Sequence, residues 1–339
     1  MKRYLTMLAP AMALALGATA QAQDGTRIYG VLDLWAGTSQ TSGAGAAVPV
    51  VNSGGMTTSY WGIGGSEDLG GKLKALYAVE GYLQLDTGAA GRSATDALFA
   101  RNAFVGLAGA FGELKAGRIL NPLFVATAQA NPFGGSIRFA PLLAQMWSVP
   151  MGRAVSGDTS WDNTLAYATP ASHGFQLATQ VGLGETAFGG ATRNAGATLT
   201  YAGAALYGSV TAQRVRVGPG LTKIGESEQA TYFAGLRYDL PQVKLYASCG
   251  TAHSARPERM ARTAQLGAAI PAGAGSVTLS WARTRADGAA LPLSRRDTAA
   301  AGYDHVLSRR TDLYAVAQYD ELGSANAAHS VGVGLRHKF

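Results

Sequence analysis

Apolar and polar side chains alternate along this chain in short runs separated by turn residues. Counting back from Phe339, His337, Leu335, Val333 and Val331 share one face, while Lys338, Arg336, Gly334 and Gly332 share the other. Residues 72–86 repeat the pattern, with Leu73, Ala75, Tyr77, Val79, Leu83 and Leu85 set against Lys72, Lys74, Glu80, Gln84 and Asp86. Val277, Leu279 and Trp281 alternate with Ser276, Thr278 and Ser280, and Val243, Leu245 and Ala247 with Lys244 and Ser248. A period of two is that of extended strand, and segments of about ten residues match one crossing of a bilayer. Placing a strand at each such run predicts sixteen, at approximately 26–37, 57–67, 72–87, 98–109, 113–119, 159–169, 174–185, 192–203, 205–217, 228–240, 242–254, 259–270, 275–286, 295–307, 311–322 and 326–339.

The connectors alternate in length. Asp68–Gly71, Ala110–Gly112, Pro170–His173 and Ser308–Arg310 are short, whereas 38–56 and 88–97 are long. Short periplasmic turns, longer outer loops and an even strand number are the layout of a transmembrane barrel. One connector stands apart. From Leu120 to about Asp158 no alternation persists, and Pro122, Pro132, Gly134, Gly135, Pro141 and Pro150 interrupt any strand. Its Phe124, Phe133, Phe139, Leu142, Leu143 and Trp147 call for a surface to pack against, and inside a barrel that surface is the inner wall. Loops of this length are functional or disordered.

Composition narrows the choice. Hydrophobic residues make up 47 % and charged ones 14 %, with 45 glycines, so apolar content is high. Yet after residue 22 no run reaches the ~20 apolar residues that a membrane helix requires. Only helices and closed barrels satisfy every backbone polar group within hydrocarbon, which leaves the barrel. Lys2 and Arg3, the apolar run Tyr4–Leu16 and the small-residue end Ala20-Gln21-Ala22 read as a cleaved signal peptide over residues 1–22. Residues 23–339 then form a single all-β domain, a 16-stranded antiparallel transmembrane β-barrel whose long connector at approximately 120–158 is either an inward-folded constriction loop or an extracellular flap. The lone Cys249 allows no internal disulfide, and the mild basic excess lacks the runs of a nucleic-acid binder.

Ile28-Tyr29-Gly30-Val31-Leu32-Asp33 resembles the first strand of the trimeric general diffusion porins of beta-proteobacteria. Tyr60-Trp61-Gly62-Ile63-Gly64-Gly65-Ser66-Glu67-Asp68-Leu69-Gly70-Gly71 is similar to their second strand and first turn. Arg101-Asn102-Ala103-Phe104-Val105-Gly106-Leu107, then Phe111-Gly112 and Gly117-Arg118, resemble strands four and five. Asp162-Asn163-Thr164 with Tyr167 and Pro170, Leu307 to Tyr314, and the closing Gly334 to Phe339 extend the likeness over nearly the whole mature chain. The resemblance implies an outer-membrane homotrimer in a Gram-negative bacterium, with the third outer loop folded inward. It further implies that Phe339 is part of the signal read by the assembly machinery, after transit with periplasmic chaperones, and that lipid and lipopolysaccharide surround the barrel.

Such a pore filters by fixed charge at a narrow, low-dielectric passage and needs no catalytic residue, cofactor or metal. The resemblance carries Arg101 over as a wall arginine and places Arg118 where strand five enters the loop. Arg138 and Arg153 are loop charges without a family match. Arg101 either filters ions or, stacked between strands or bonded to loop carbonyls, fixes the loop; Arg138 and Arg153 either charge the lumen or are simply exposed. Tyr60, Gly64 and Ser160 occupy positions where relatives carry basic residues, so the usual ladder is thinned. No acid occurs between Glu113 and Asp158, so the loop is positive and a weak anion preference is expected. Tyr29, Trp35, Tyr77, Phe104, Tyr201, Tyr207, Trp281, Tyr314 and Tyr319 are candidates for interfacial girdles or a subunit contact. A substrate-specific channel is the nearest rival, with the loop aromatics as a binding track. An outer-membrane enzyme would need a nucleophile and base, and no G-x-S-x-G elbow is present.

Overall fold

Extended segments joined edge to edge account for most of the chain, and the sheet they form has no free edge. The computed structural model describes residues 25–43, 45–148, 154–184, 193–216, 228–255, 258–288 and 291–339. Residues 1–22, the expected signal segment, and Arg153 lie outside the described residues. The strands are β1 (Gly25–Ser39), β2 (Val48–Ser53), β3 (Tyr60–Gly70), β4 (Leu73–Tyr82), β5 (Asn102–Gly109), β6 (Gly112–Leu120), β7 (Ser160–Ala168), β8 (Phe175–Leu183) and β9 (Arg193–Ala202), continuing with β10 (Leu206–Val215), β11 (Gln229–Asp239), β12 (Lys244–Ala255), β13 (Glu258–Ala272), β14 (Gly275–Gly288), β15 (Leu291–Val306), β16 (Thr311–Leu322) and β17 (Ala328–Lys338). Two helices, α1 (Pro122–Gln129) and α2 (Pro141–Trp147), lie between β6 and β7.

Each strand pairs antiparallel with the next, and β1 closes the ring on β17 through Val31↔Lys338 to Thr38↔Val331. β3 pairs with the first half of β1 and β2 with its second half, so both occupy one stave of a 16-stranded barrel. β2 falls within the long first connector, which the alternation left as loop. The expected strands otherwise match to within a few residues, the largest shift being at β4, which ends at Tyr82 rather than near 87, followed by the starts of β5 and β15.

The register separates two faces. Val105, Val210 and Val333 are 65 %, 61 % and 62 % exposed on the outside. Their neighbours in sequence point inward, where Thr198 meets Thr211, Thr263 meets Thr284, and Ser248 meets Gln265 in cross-strand hydrogen bonds of 2.8–2.9 Å. The apolar core therefore sits inside the barrel. It is supplied by the loop, with Leu123, Phe124, Phe133, Phe139, Leu142, Leu143, Met146 and Trp147 clustered against Trp35, Phe233, Tyr314 and Val316 of the wall.

The prolines that end the strand pattern begin these helices. Pro122 and Pro141 each stand in the first helical turn, where a missing N–H costs nothing. Asn121 caps α1 by accepting from the backbone N–H of Leu123 and Phe124 at 2.7 and 3.3 Å.

The wall receives the loop along a row of inward glycines on alternate strands. A Cβ at Gly235 of β11 would lie 2.5 Å from the Ala130 Cβ, and one at Gly267 of β13 would lie 2.8 Å from the Pro132 ring. Gly302 of β15 approaches Phe133 similarly, at 3.2 Å. Gly235→Val is therefore expected to push the loop off the wall, lowering single-channel conductance and costing roughly 1–3 kcal/mol of strain. Planar-bilayer recording with thermal unfolding checks this, and wild-type values in both would count against the glycine seat.

Candidate functional site

The loop enters and leaves the barrel as a hairpin. The Asn121 N–H donates to the Thr159 carbonyl at 2.8 Å at its root, and Ala154 and Val155 return across Gln145 and Met146 at 2.9 and 3.0 Å. Its apex docks on the first outer loop, where the Ser136 hydroxyl donates to the Gly55 carbonyl at 2.6 Å. Gly55 is itself held by Asp33. That buried carboxylate accepts from the N–H groups of Gly55, Met56 and Thr57 at 2.8–3.0 Å and from the Tyr314 hydroxyl at 2.6 Å. On α2, Gln145 is fully buried, with its amide donating to Ala282 and Thr298 and accepting from Thr284 at 2.6–2.9 Å.

Arg138 is the sole charged side chain of the loop among the described residues 121–148 and 154–157. Its guanidinium donates to Gln318, Ser39 and Ser330 at 2.7–3.0 Å and lies over the rings of Phe139 and Trp35. Those donors are spent on the wall, so Arg138 fastens the loop as well as charging it.

Arg101 points its guanidinium at Glu80, which also accepts from Asn102 and from the Tyr29 hydroxyl. The Tyr60 ring lies beneath the same guanidinium at 4.0 Å, and the Ser160 hydroxyl donates to the Arg101 carbonyl at 2.7 Å. Two of the three positions that thin the arginine ladder thus support the arginine that remains.

Arg118 stands near the end of β6, where that strand enters the loop. In register it stands opposite Ala103, on the outward face shared by Val105 and Ala116. The bulge that follows Gly117 turns the strand there. Its guanidinium binds Asp158 and Asp162 at 2.6 Å each, and Arg92 binds Asp158 from the other side at 2.8 Å while holding Asp96. This is a clasp at the rim, on the root of the loop. Burial alone would raise the Asp158 and Asp96 carboxyls, but the adjoining arginines outweigh it and hold both below the ordinary carboxylate value.

The inner wall holds charges that the motif search did not single out. Arg336 bridges Asp304 and Asp312 at 3.0 and 3.1 Å, and Arg296 pairs with Asp320 at 2.7 Å, all nearly buried. Arg237 takes Asp239, and Lys115 takes Glu113. Arg27, Lys244 and Lys338 also occupy inward register positions, near the short-turn end, and make no ion pair among the described residues. The alternation that placed Lys338 and Lys244 on polar faces was the available signal.

The aromatic candidates divide. Tyr77, Tyr201, Trp281 and Tyr319 face outward, whereas Tyr29, Trp35, Phe104, Tyr207 and Tyr314 face the lumen or the loop, bonded to Glu80, Gln129 or Asp33 where they carry a hydroxyl. Phe339 completes the seam, exchanging backbone hydrogen bonds of 3.2 and 3.3 Å with Gly30, and its ring covers that glycine on the outside. Among the described residues no group of histidine, cysteine and carboxylate side chains is placed to hold a metal ion.

A closed barrel with an apolar exterior, a polar interior and a loop seated within it is the architecture of a membrane channel. The family model for Gram-negative porins matches residues 7–325, and the chain belongs to that family of outer-membrane channels. It is similar to outer membrane porin protein 32 of Delftia acidovorans, 29 % identical over 93 % of this chain and 88 % of that one. Among solved structures it resembles an anion-selective porin from Comamonas acidovorans, with a TM-score of 0.77 and 24 % identity, covering 93 % of this chain and 99 % of that chain. The trimer form of OmpT from Vibrio cholerae is similar in fold, with a TM-score of 0.67 and 13 % identity over 93 % and 99 % of the two chains.

Asp158→Asn should loosen the loop root by roughly 1–3 kcal/mol, the cost of stripping charge-assisted bonds from two arginines. Because the folded carboxyls lie below their unfolded value of about 3.9, the clasp contributes fully above that pH and is lost as pH falls through the folded value. Hydrogen exchange at residues 154–160 should stay slow from pH 7 to 5 in the wild type and be fast at all pH in Asp158→Asn. Equal exchange in the two proteins would remove the clasp.

Proposed function

We propose that this porin is a general diffusion pore with a weak anion preference, and that the preference arises chiefly below the loop. The observation that carries this reading is the pairing of lumen charge. The carboxylates of Glu80, Asp239, Asp304, Asp312 and Asp320 each meet an arginine, so they present little net field to a passing ion. Arg27, Lys244 and Lys338 make no ion pair among the described residues, and Arg138 adds positive charge at the constriction. Fixed cations at a narrow mouth with low-dielectric walls raise the local anion concentration. Arg101 contributes less, because Glu80 offsets it. The Comamonas relative is described as anion-selective, which agrees in sign.

A substrate-specific channel is less well supported. Phe124, Phe133, Phe139 and Trp147 are no more than 8 % exposed, so they form the packing core of the loop and leave no aromatic track for a solute. The functional unit is a homotrimer inserted after removal of residues 1–22, and Phe339, exposed at the barrel seam, serves as the handle for the assembly machinery.

In a salt gradient the wild-type pore should show a reversal potential that favours the anion. The double variant Arg27→Glu/Lys244→Glu should favour the cation, while Arg101→Gln should change the preference less. A cation-favouring wild type, or a double variant indistinguishable from it, would refute the assignment.

A further inference from the structure

Three arginines stand abreast on the outside of the barrel, at the end of the long loops. In register Arg262 of β13 lies opposite Arg285 of β14, which lies opposite Arg295 of β15. All three are exposed and share the outward face of Leu266, Leu279 and Trp281. Like charges directly opposite one another destabilise a sheet, so this row is a cost to the fold taken alone.

The acids nearby leave the middle of the row without an ion pair among the described residues. Asp297, one row below, accepts from both Arg283 and Arg295 at 2.7 and 2.5 Å. Asp287 reaches Arg262 only at 3.7 Å, and Glu321 is engaged by the Tyr319 hydroxyl. No ion pair engages Arg285 among the described residues.

Directly beneath the charges comes the row Leu266, Trp281, Ala299 and Tyr319, with Arg283 over the Trp281 ring. Tryptophan and tyrosine in this position mark the headgroup level of a bilayer. Below them a shallow outer groove of about 680 Å³ runs along Ala268, Leu279, Ala301, Ala317 and Val331. Cationic row, aromatic row and apolar groove follow in the order of a lipid's phosphate, interface and acyl chain.

We propose that this face binds a phosphorylated glycolipid of the outer leaflet, of the lipid A type. Its phosphates are taken by Arg262, Arg285 and Arg295, and an acyl chain lies in the alanine groove. Charge complementarity selects an anion, and a row two strand spacings wide, about 10 Å, suits a headgroup with more than one phosphate. The long-loop end places the site in the outer leaflet. The site rests on the outer-membrane reading and is independent of the ion preference of the lumen.

Native mass spectrometry of the full-length, detergent-solubilised protein tests it, with bisphosphorylated lipid A, its monophosphoryl form and phosphatidylglycerol as probes. Retention should follow that order. Arg262→Gln/Arg285→Gln/Arg295→Gln should reduce bisphosphorylated lipid A binding by about tenfold or more, the loss expected for charge-assisted bonds. If the triple variant does not fold, Arg285→Gln alone decides, because that side chain makes no ion pair among the described residues. Wild-type retention by Arg285→Gln, or equal retention of phosphatidylglycerol, would overturn the proposal. A loss of oligomeric mass in Arg285→Gln would do so too, by making this face a subunit contact. Salt-gradient reversal potentials on the same preparation report the lumen separately.

Discussion

A backbone that crosses hydrocarbon finds no water to answer its N–H and C=O groups, and each unanswered group costs several kcal/mol. That constraint decides the rest of this molecule. Its segments are too short for helices, so every strand must find two neighbours, and the ring must close. Closure rests on one seam, β1 against β17, extended by the terminal Phe339 exchanging bonds with Gly30. A closed ring with lipid outside inverts the usual arrangement: valines and leucines face outward and Thr, Ser and Gln line the interior. A ring this wide also cannot be filled by its own side chains. The loop between β6 and β7 fills part of it and carries the apolar core that a soluble protein would build between layers.

Placing that core inside a polar cylinder creates an electrostatic problem. Where the loop covers the wall, charged groups lose water and must be matched, since an unpaired buried charge is far more costly than a paired one. Arg296 with Asp320, and Arg336 with Asp304 and Asp312, are so matched. Near the short turns pairing is incomplete: Arg237 meets Asp239 and Lys115 meets Glu113, whereas Arg27, Lys244 and Lys338 make no ion pair among the described residues. The proposed ion preference rests on these unpaired cations, while the matched arginines tie neighbouring strands of the wall together.

Much of this was legible in the order of residues. Alternation located the strands because one face meets lipid and the other does not, and it placed Arg336, Lys338 and Glu80 on the polar face. It failed where that contrast fails. β2 folds onto the outer half of β1 with mixed exposure on both faces, so Val48–Ser53 has no period of two to detect. The helices escaped because Pro122 and Pro141 were read as breakers of strand, though proline at a first helical turn is a starting signal. Arg118 was placed by motif, and a motif does not count the bulge after Gly117 or the register that sets it opposite Ala103. The aromatics could not be divided because a tyrosine suits an interfacial girdle and a lumen hydrogen bond equally well. Tyr29 and Tyr314 needed Glu80 and Asp33, which lie far away in sequence, to be assigned.

The same reasoning explains why the loop is held by different means along its length. At the root, which reaches the rim, the Arg92–Asp158–Arg118 clasp supplies an attraction that outweighs the cost of burying its carboxylate. At the apex the contacts are the Ser136 hydroxyl on a backbone carbonyl and Arg138 on neutral oxygens, which avoids placing a carboxylate in the passage. Between them the glycine seats let backbone and apolar side chains approach without any charge. A loop pinned by carboxylates at its apex would narrow the pore equally well but would attract cations. The neutral apex keeps the constriction positive, and the acids that fasten the loop are confined to the rim, where counter-charge and solvent mask them.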